Sequence, residues 1–386
     1  MITGMTIQGI FMNNKINIFM AMALTTGVFS YENQIIPTAV VELDPMPMYI
    51  GGPYASRVSW FDARNGTLLF RHPTDWVPYV SRGPDNSAFV YTQSGTMSKI
   101  AQIDAKSGAV KKVLWNRFAL VSRHNPNIPP RRDQIIGWNG SLWVMAGSDE
   151  AFNSINPSFQ SLVNIDLSSG ISVKRYILQP EQIGHFTMHV VGDGCIMNVF
   201  GNKFTRPEPE KVKEMKAEIV FVPNAVKAAT LAASPELEDE EYISYIDQCG
   251  EKYSYVTSNL RMGMISRSAT SMAIEKPRFI RNLEKSDIYN FQFTLRYDDT
   301  TIAVAISKSS GLFGTHYIAL VKIPELICEK IITLPEPMTA MQRFGDEIVC
   351  LSAHSHKFFI FDTKFELKSS ARLRWFLHDI EVMGGP

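Results

Sequence analysis

The chain has 386 residues, 45% apolar and 20% charged, a composition that supports an extensive core and excludes disorder as its general state. Lys and Arg (38) balance Asp and Glu (38), and no basic run is long enough to track a phosphate backbone, so no nucleic-acid partner is expected. The four cysteines, Cys195, Cys249, Cys328 and Cys350, form no Cys-x-x-Cys pair, which removes zinc ribbons, thioredoxin-like redox pairs and c-type haem attachment.

At the N-terminus, Lys15 precedes an apolar stretch from Ile16 to Leu24, followed by Thr25-Thr-Gly-Val-Phe-Ser30 and polar residues 31–34. A positive residue, a short apolar core and small residues at a cut site describe a secretory signal. The run is too short to span a bilayer as a helix, and no other segment is a candidate. Residues 1–34 are therefore expected to be a signal or N-terminal extension, and residues 35–386 a single domain. The expected location is periplasmic or secreted; a cytoplasmic chain with a plain N-terminal tail is the alternative.

Beyond this segment, pairs of apolar strands recur around tight polar turns. Three turns read Asp-x-x-(Asn/Ser)-Gly: Asp62-Ala-Arg-Asn-Gly66, Asp104-Ala-Lys-Ser-Gly108 and Asp166-Leu-Ser-Ser-Gly170. Four weaker ones centre on Pro223-Asn224, Lys276-Pro277, Ile323-Pro324 and Asp362-Thr363. In the first type the Asp side chain can satisfy nearby backbone N–H groups while Gly takes the left-handed position. Intervals of roughly 40 to 60 residues, with several short strands in each, mark a β-propeller.

Each hairpin is preceded by a polar turn and an apolar run: Pro84-Asp-Asn86 into residues 88–91, Asn139-Gly140 into 142–145, and Gly192-Asp-Gly194 into 195–197. Gly250-Glu251, Asp298-Asp299 and Gly345-Asp346 repeat the arrangement. One more strand lies before each turn, at residues 76–79, 134–138, 185–191, 242–246, 288–295 and 338–344, giving four-stranded blades read from the innermost strand outward. Residues 375–383 have innermost-strand character with nothing after them, and residues 48–70 have outer strands with no first one. The two ends are expected to complete one blade and close a seven-bladed, all-β ring, which pairs edges otherwise left open. Residues 205–216 and Pro235–Glu241 suggest short helical turns within insertions.

No Gly-x-Ser-x-Gly elbow, Walker loop, dinucleotide fingerprint, His-Glu-x-x-His or EF-hand loop occurs. The innermost strands of a propeller converge on a central channel, so polar groups where they begin meet from distant positions. These are Asp75, Arg132 with Asp133, His185, Tyr242, Tyr289 with Asn290, Thr339, and His378 with Asp379. They form the expected ligand-binding rim, since concave sites combine apolar walls with a few convergent polar groups. The same residues could instead only solvate a channel mouth. His354 and His356, and His185 and His189, share strand faces, but a metal needs further ligands, so neither a metal nor a cofactor is expected. Arg131-Arg132 after Pro129-Pro130 makes a stiff cationic approach to the rim. The tryptophans fall mostly on strands, as packing between blades, and Cys195 and Cys350 lie in apolar strand text as small core residues.

The hairpins Val58-Ser-Trp-Phe-Asp-Ala-Arg-Asn-Gly66, Ile103-Asp-Ala-Lys-Ser-Gly108 and Asn164-Ile-Asp-Leu-Ser-Ser-Gly170 resemble those of seven-bladed propellers of the YVTN-repeat and amine-dehydrogenase heavy-chain type. The likeness covers three blades well and four loosely. In that group such hairpins join the outer two strands of each blade, and the heavy chains hold no cofactor but scaffold a small, cysteine-rich quinone subunit. The resemblance supports the fold; polar convergence at the rim without a recognisable catalytic set points to a binding scaffold that engages a protein partner or small ligand there. The alternative is an enzyme or enzyme subunit, such as an amine-dehydrogenase-like large subunit or a propeller hydrolase or lyase using His185, His378 and Asp379.

Overall fold

The computed structural model describes residues 35–43, 56–74, 78–94, 97–116, 136–146, 161–177, 188–199, 217–238, 241–249, 252–284, 289–308, 314–352, 355–373 and 377–382. By contacts the chain divides into Met1–Ile36 and Pro37–Pro386, and the second unit carries every sheet. No helix occurs among the described residues, and none is long and apolar enough to cross a membrane.

The strands form seven antiparallel sheets. Blade I joins β1 (Pro37–Leu43), β2 (Ser56–Asp62) and β3 (Thr67–Thr74) to β29 (Leu377–Val382). Blade II holds β4 (Tyr79–Arg82), β5 (Ser87–Ser94), β6 (Met97–Asp104) and β7 (Val110–Asn116). Blade III holds β8 (Ile136–Trp138), β9 (Leu142–Ala146), β10 (Ser161–Ile165) and β11 (Ser172–Ile177). Blade IV holds β12 (Met188–Val191), β13 (Gly194–Val199), β14 (Glu218–Pro223) and β15 (Leu231–Ala233). Blade V holds β16 (Ile243–Cys249), β17 (Lys252–Thr257), β18 (Arg261–Arg267), β19 (Met272–Ile274) and β20 (Arg278–Phe279). Blade VI holds β21 (Tyr289–Arg296), β22 (Thr301–Lys308), β23 (Thr315–Lys322) and β24 (Ile327–Leu334). Blade VII holds β25 (Ala340–Phe344), β26 (Glu347–Ser352), β27 (Lys357–Asp362) and β28 (Leu367–Arg372).

The innermost strands touch in the cyclic order β29, β4, β8, β12, β16, β21, β25 and back to β29. The fold is a seven-bladed β-propeller. Its ring closes where β29 pairs with β1, Thr38 opposite Val382 and Val40 opposite Ile380.

The core lies between blades. Side chains alternate along a strand, and the middle strands of each blade bury both sets. On β5, Ala88 and Val90 face blade I, whereas Phe89 and Tyr91 face blade III. On β22, Ile302, Val304 and Ile306 pack against blade V, while Ala303 and Ala305 pack against blade VII. Continuous apolar runs there follow from two-sided burial. Trp60 and Trp143 are fully buried at such seams, and Cys195 and Cys350 are buried thiols.

The Asp-x-x-x-Gly turns work as expected within a blade and also serve the next seam. Asp104 accepts from the backbone N–H of Lys106 and Ser107 at 3.0 and 2.8 Å, and Asp166 from Ser168 N–H at 2.9 Å. Gly66, Gly108 and Gly170 take φ of 73°, 73° and 72°. Each faces the outermost strand of the preceding blade: Gly66 meets Ala371 and Arg372, Gly108 meets Phe70, and Gly170 meets Leu114. Among the described residues, cations span six seams, near the turns that join first to second or third to fourth strands. Arg175 donates to the Pro223 and Asn224 carbonyls at 2.6 Å each, Lys112 to Ser168 O at 2.9 Å, and Arg281 to Glu325 O at 3.1 Å. Arg343 reaches Tyr297 O, Arg267 grips Asp193, and Arg64 grips Glu347.

Four expectations differ. The first three N-terminal strands span residues 37–74 rather than 48–70, because the alternation of Pro37–Leu43 supplies β1. The outer turn of blade V is Ser268–Ser271, where Ser268 Oγ accepts from the N–H groups of Thr270 and Ser271 at 3.3 and 3.0 Å. Lys276-Pro277 instead interrupts the outermost strand, and its two pieces, β19 and β20, both pair with β18. A proline lacks the donor a ladder needs and is tolerated on an edge. The innermost strand of blade II starts at Tyr79, three residues beyond Trp76. Pro235–Glu238 is irregular rather than helical, and residues 205–216 lie outside the described residues.

Candidate binding faces

Because consecutive strands run antiparallel, the starts of the seven innermost strands share one face with the turns joining the second and third strands. The turns joining first to second and third to fourth strands lie on the other. The expected rim positions among the described residues lie on the first face. Asp75, Arg132, Asp133 and His185 lie outside the described residues, as does His354.

The remaining rim positions fall at the starts of β16, β21, β25 and β29, which are consecutive in the ring. Tyr242 directly precedes β16 and is 39% exposed; its backbone exchanges hydrogen bonds with Ser258, whose N–H donates to Tyr242 O at 2.8 Å. Thr339 is exposed just before β25 and donates to Leu351 O at 3.0 Å. Tyr289 opens β21 but turns into the seam between blades V and VI. It is 7% exposed and meets the Tyr317 ring edge-on at 6.0 Å. Burial there raises its phenol pKa.

Asn290, His378 and Asp379 have described backbone at the expected strand starts. Val41 pairs with Asp379 and Glu42 with Leu377, which leaves His378 unmatched as a β-bulge. Ser244 on β16 and Gln292 on β21 are bulged in the same way. Three innermost strands therefore bend within their first four residues. Bulges re-aim side chains and are enriched beside functional sites. His356 lies in the turn before β27 at φ 54°, and His189 is half-buried on β12.

Two polar groupings beside this face were not anticipated. The Glu241 side chain, 0% exposed, accepts from Thr257 Oγ1, from Arg261 Nε at 2.9 Å and from Arg261 Nη2; Arg261 Nη1 also reaches Glu238 at 2.7 Å. Burial alone would raise the Glu241 pKa, but these donors outweigh it and hold the carboxyl below its usual range. This clamp ties the segment before Tyr242 to the Thr257–Arg261 turn. Deeper along β16, Asp247 is buried and accepts from Thr294 Oγ1 on β21 at 3.1 Å. Neither pairing has a local signature, since the partners stand 16 to 47 residues apart. Among the described residues, no three His, Cys, Asp or Glu side chains are placed to share a metal ion.

On the opposite face, a cleft of about 450 Å³ opens between the first turns of blades II and III, lined by Arg82, Gly83, Pro84, Asp85, Asn86, Trp138 and Asn139. Trp138 was expected only to pack between blades; it does lean on Phe89, at 5.7 Å between ring centroids, yet lines this opening.

Comparison with known proteins agrees on architecture alone. No family model matches the chain, and no curated protein matches it. A Bacteroides uniformis protein provisionally assigned as a 6-phosphogluconolactonase superposes with a TM-score of 0.55 at 10% identity, over 90% of this chain and 99% of that one. A second such protein, from Bacteroides fragilis, gives 0.52 at 8%, over 90% and 98%. A Lactobacillus plantarum protein also gives 0.52 at 8%, over 90% and 99%. At such identities the likeness shows the propeller fold and nothing about activity.

Proposed function

We propose that the protein is a binding scaffold that engages a protein partner or small ligand at the rim where the innermost strands begin. The observation that carries this reading is the run of bulges at Ser244, Gln292 and His378, all at the channel end of innermost strands. A ladder gives up regular pairing there, which bends the strands where they enter the rim beside exposed Tyr242. Asp75, Arg132, Asp133, His185, Asn290, His378 and Asp379 complete the proposed contact set. Residues 1–34 act in this reading as a cleaved export signal.

Affinity capture with the full-length protein, then direct titration of the captured partner, tests the rim. Tyr242→Ala with Asp379→Ala is expected to weaken binding about tenfold or more, because interface energy concentrates in a few central residues. Arg82→Ala, on the opposite face, is expected to leave it unchanged. Equal affinity for the rim variant and the parent chain would overturn the assignment. Mass spectrometry of natively produced protein checks export: processing near Ser30 is expected, and an intact Met1 contradicts it.

A further inference from the structure

The cleft between blades II and III is lined by side chains that the described residues leave without polar partners. Its backbone is fixed: Asp85 and Asn86 both take φ of 53°, Asp85 O accepts from Lys111 Nζ at 3.0 Å, and Asn86 O accepts from Ala105 N–H at 2.9 Å. Its side chains are free by contrast. Arg82, Asp85, Asn86, Trp138 and Asn139 make no side-chain hydrogen bond or ion pair to any described residue. Trp138 is half-buried and braced by Phe89 at an interplanar angle of 52°, so its indole is held while partly open to solvent.

Three properties of this lining narrow the ligand. Arg82 and Asp85 cancel in charge, which selects against a strongly ionic ligand. Most lining groups are polar, which selects against an apolar one. The polar groups are a guanidinium, a carboxylate and two carboxamides, all planar and able to offer paired donors or acceptors. Neighbouring hydroxyls on a pyranose ring match such paired groups, and the C–H face of the ring covers an indole. We infer that this cleft is a carbohydrate site that takes one or two units of a neutral sugar. About 450 Å³ lies within the range of small-ligand sites. The site stands on the face opposite the proposed rim, and its success or failure is independent of the rim's.

Tryptophan fluorescence of the full-length protein, titrated with neutral mono- and disaccharides of glucose, galactose, mannose and N-acetylglucosamine, tests the assignment. At least one sugar is expected to give a saturable change, and Arg82→Ala, Asn139→Ala and Trp138→Ala are each expected to weaken it about tenfold or more. Arg82 ends β4 and Asn139 stands in the turn after β8, both exposed, so their variants carry the comparison should Trp138→Ala fail to fold. Tyr242→Ala, on the other face, is expected to bind sugar like the parent chain. The assignment falls if no sugar binds, if binding survives the Arg82 and Asn139 changes, or if only a uronic acid or an acidic peptide binds through these residues.

Discussion

A methyl group added at Gly108 would sit 2.5 Å from the Phe70 ring, on backbone already at φ 73°. At Gly140, φ is 75° and no heavy atom lies within 4 Å. The two positions separate conformational strain from crowding. Gly140→Ala is expected to cost about 1 kcal/mol for the left-handed backbone alone. Gly108→Ala is expected to cost about 2–4 kcal/mol, because the ring on the neighbouring blade must move as well. Denaturant midpoints of the two variants measure the gap, and equal losses would deny that the turn glycine serves the seam. The turn aspartates add a pH dependence. Hydrogen bonds from Ser169 and Ser168 lower the Asp166 pKa to about 2, and the Ser107 backbone N–H leads those that lower Asp104 further. A carboxyl depressed in the folded state stabilises fully above its unfolded pKa, near 3.9, and loses that contribution as pH falls through the folded value. Melting temperatures of the parent chain and Asp166→Asn should therefore differ most above about pH 4.5 and converge toward about pH 2. A constant difference across that window would show that the carboxylate charge is not responsible.

Single elements are held by groups that come from elsewhere. The Glu241–Arg261 clamp fixes the segment leading into β16, with both side chains almost wholly buried. Removing one partner of such a pair leaves a buried charge, so Arg261→Ala is expected to cost about 3–5 kcal/mol. Replacing both, as Glu241→Leu with Arg261→Met, is expected to recover most of that loss. A double variant no more stable than Arg261→Ala would contradict it. The outermost strands show a related device. Bulges fall at Leu69, Lys111, Arg175, Glu329 and Lys368, each close to its turn, and three of these five turn a cation toward a carbonyl or carboxylate. These positions explain which parts of the fold were readable. Asp-x-x-x-Gly is a local solution to a local geometry, so the turns at Asp62, Asp104 and Asp166 stood out. Ser268–Ser271 solves the same problem with a serine hydroxyl and gives no such mark, and Pro277 drew attention to an edge-strand break instead. At the rim, repeat spacing located the strand starts. It could not tell that Tyr289 points into a seam, since one step of strand parity decides that. Arg261 depends on a partner 20 residues away beside its own blade, and Trp138 on a ring of the neighbouring blade, both beyond the reach of any local pattern.

Closure of the whole ring rests on β29, which supplies blade I with its innermost strand from the far end of the chain. Without it, β1 would present an unpaired edge to the channel, and the contacts of β29 with β25 and β4 would go too. The pairing has the geometry of an uncut hairpin: Val382 stands opposite Thr38, as the residues flanking a two-residue turn do. A circular permutant follows from that register. Val382 is joined to Thr38 through Asn-Gly, the residues favoured where two successive positive φ angles are needed. New ends open between Val226 and Lys227, in the exposed turn between β14 and β15. The joined blade then resembles its six neighbours; its closure becomes local while that of blade IV becomes long-range, so the loop-closure entropies nearly cancel. The permutant is expected to fold to the same ring, with a thermal midpoint close to that of residues 37–386 in their natural order. Truncation after Leu373 is expected to leave no cooperative transition and to yield associated material on gel filtration. Circular dichroism melts of the three chains decide between them. A truncated chain that melts like the full ring would mean that β29 is dispensable, and closure through β1 would then not be what holds the blades together.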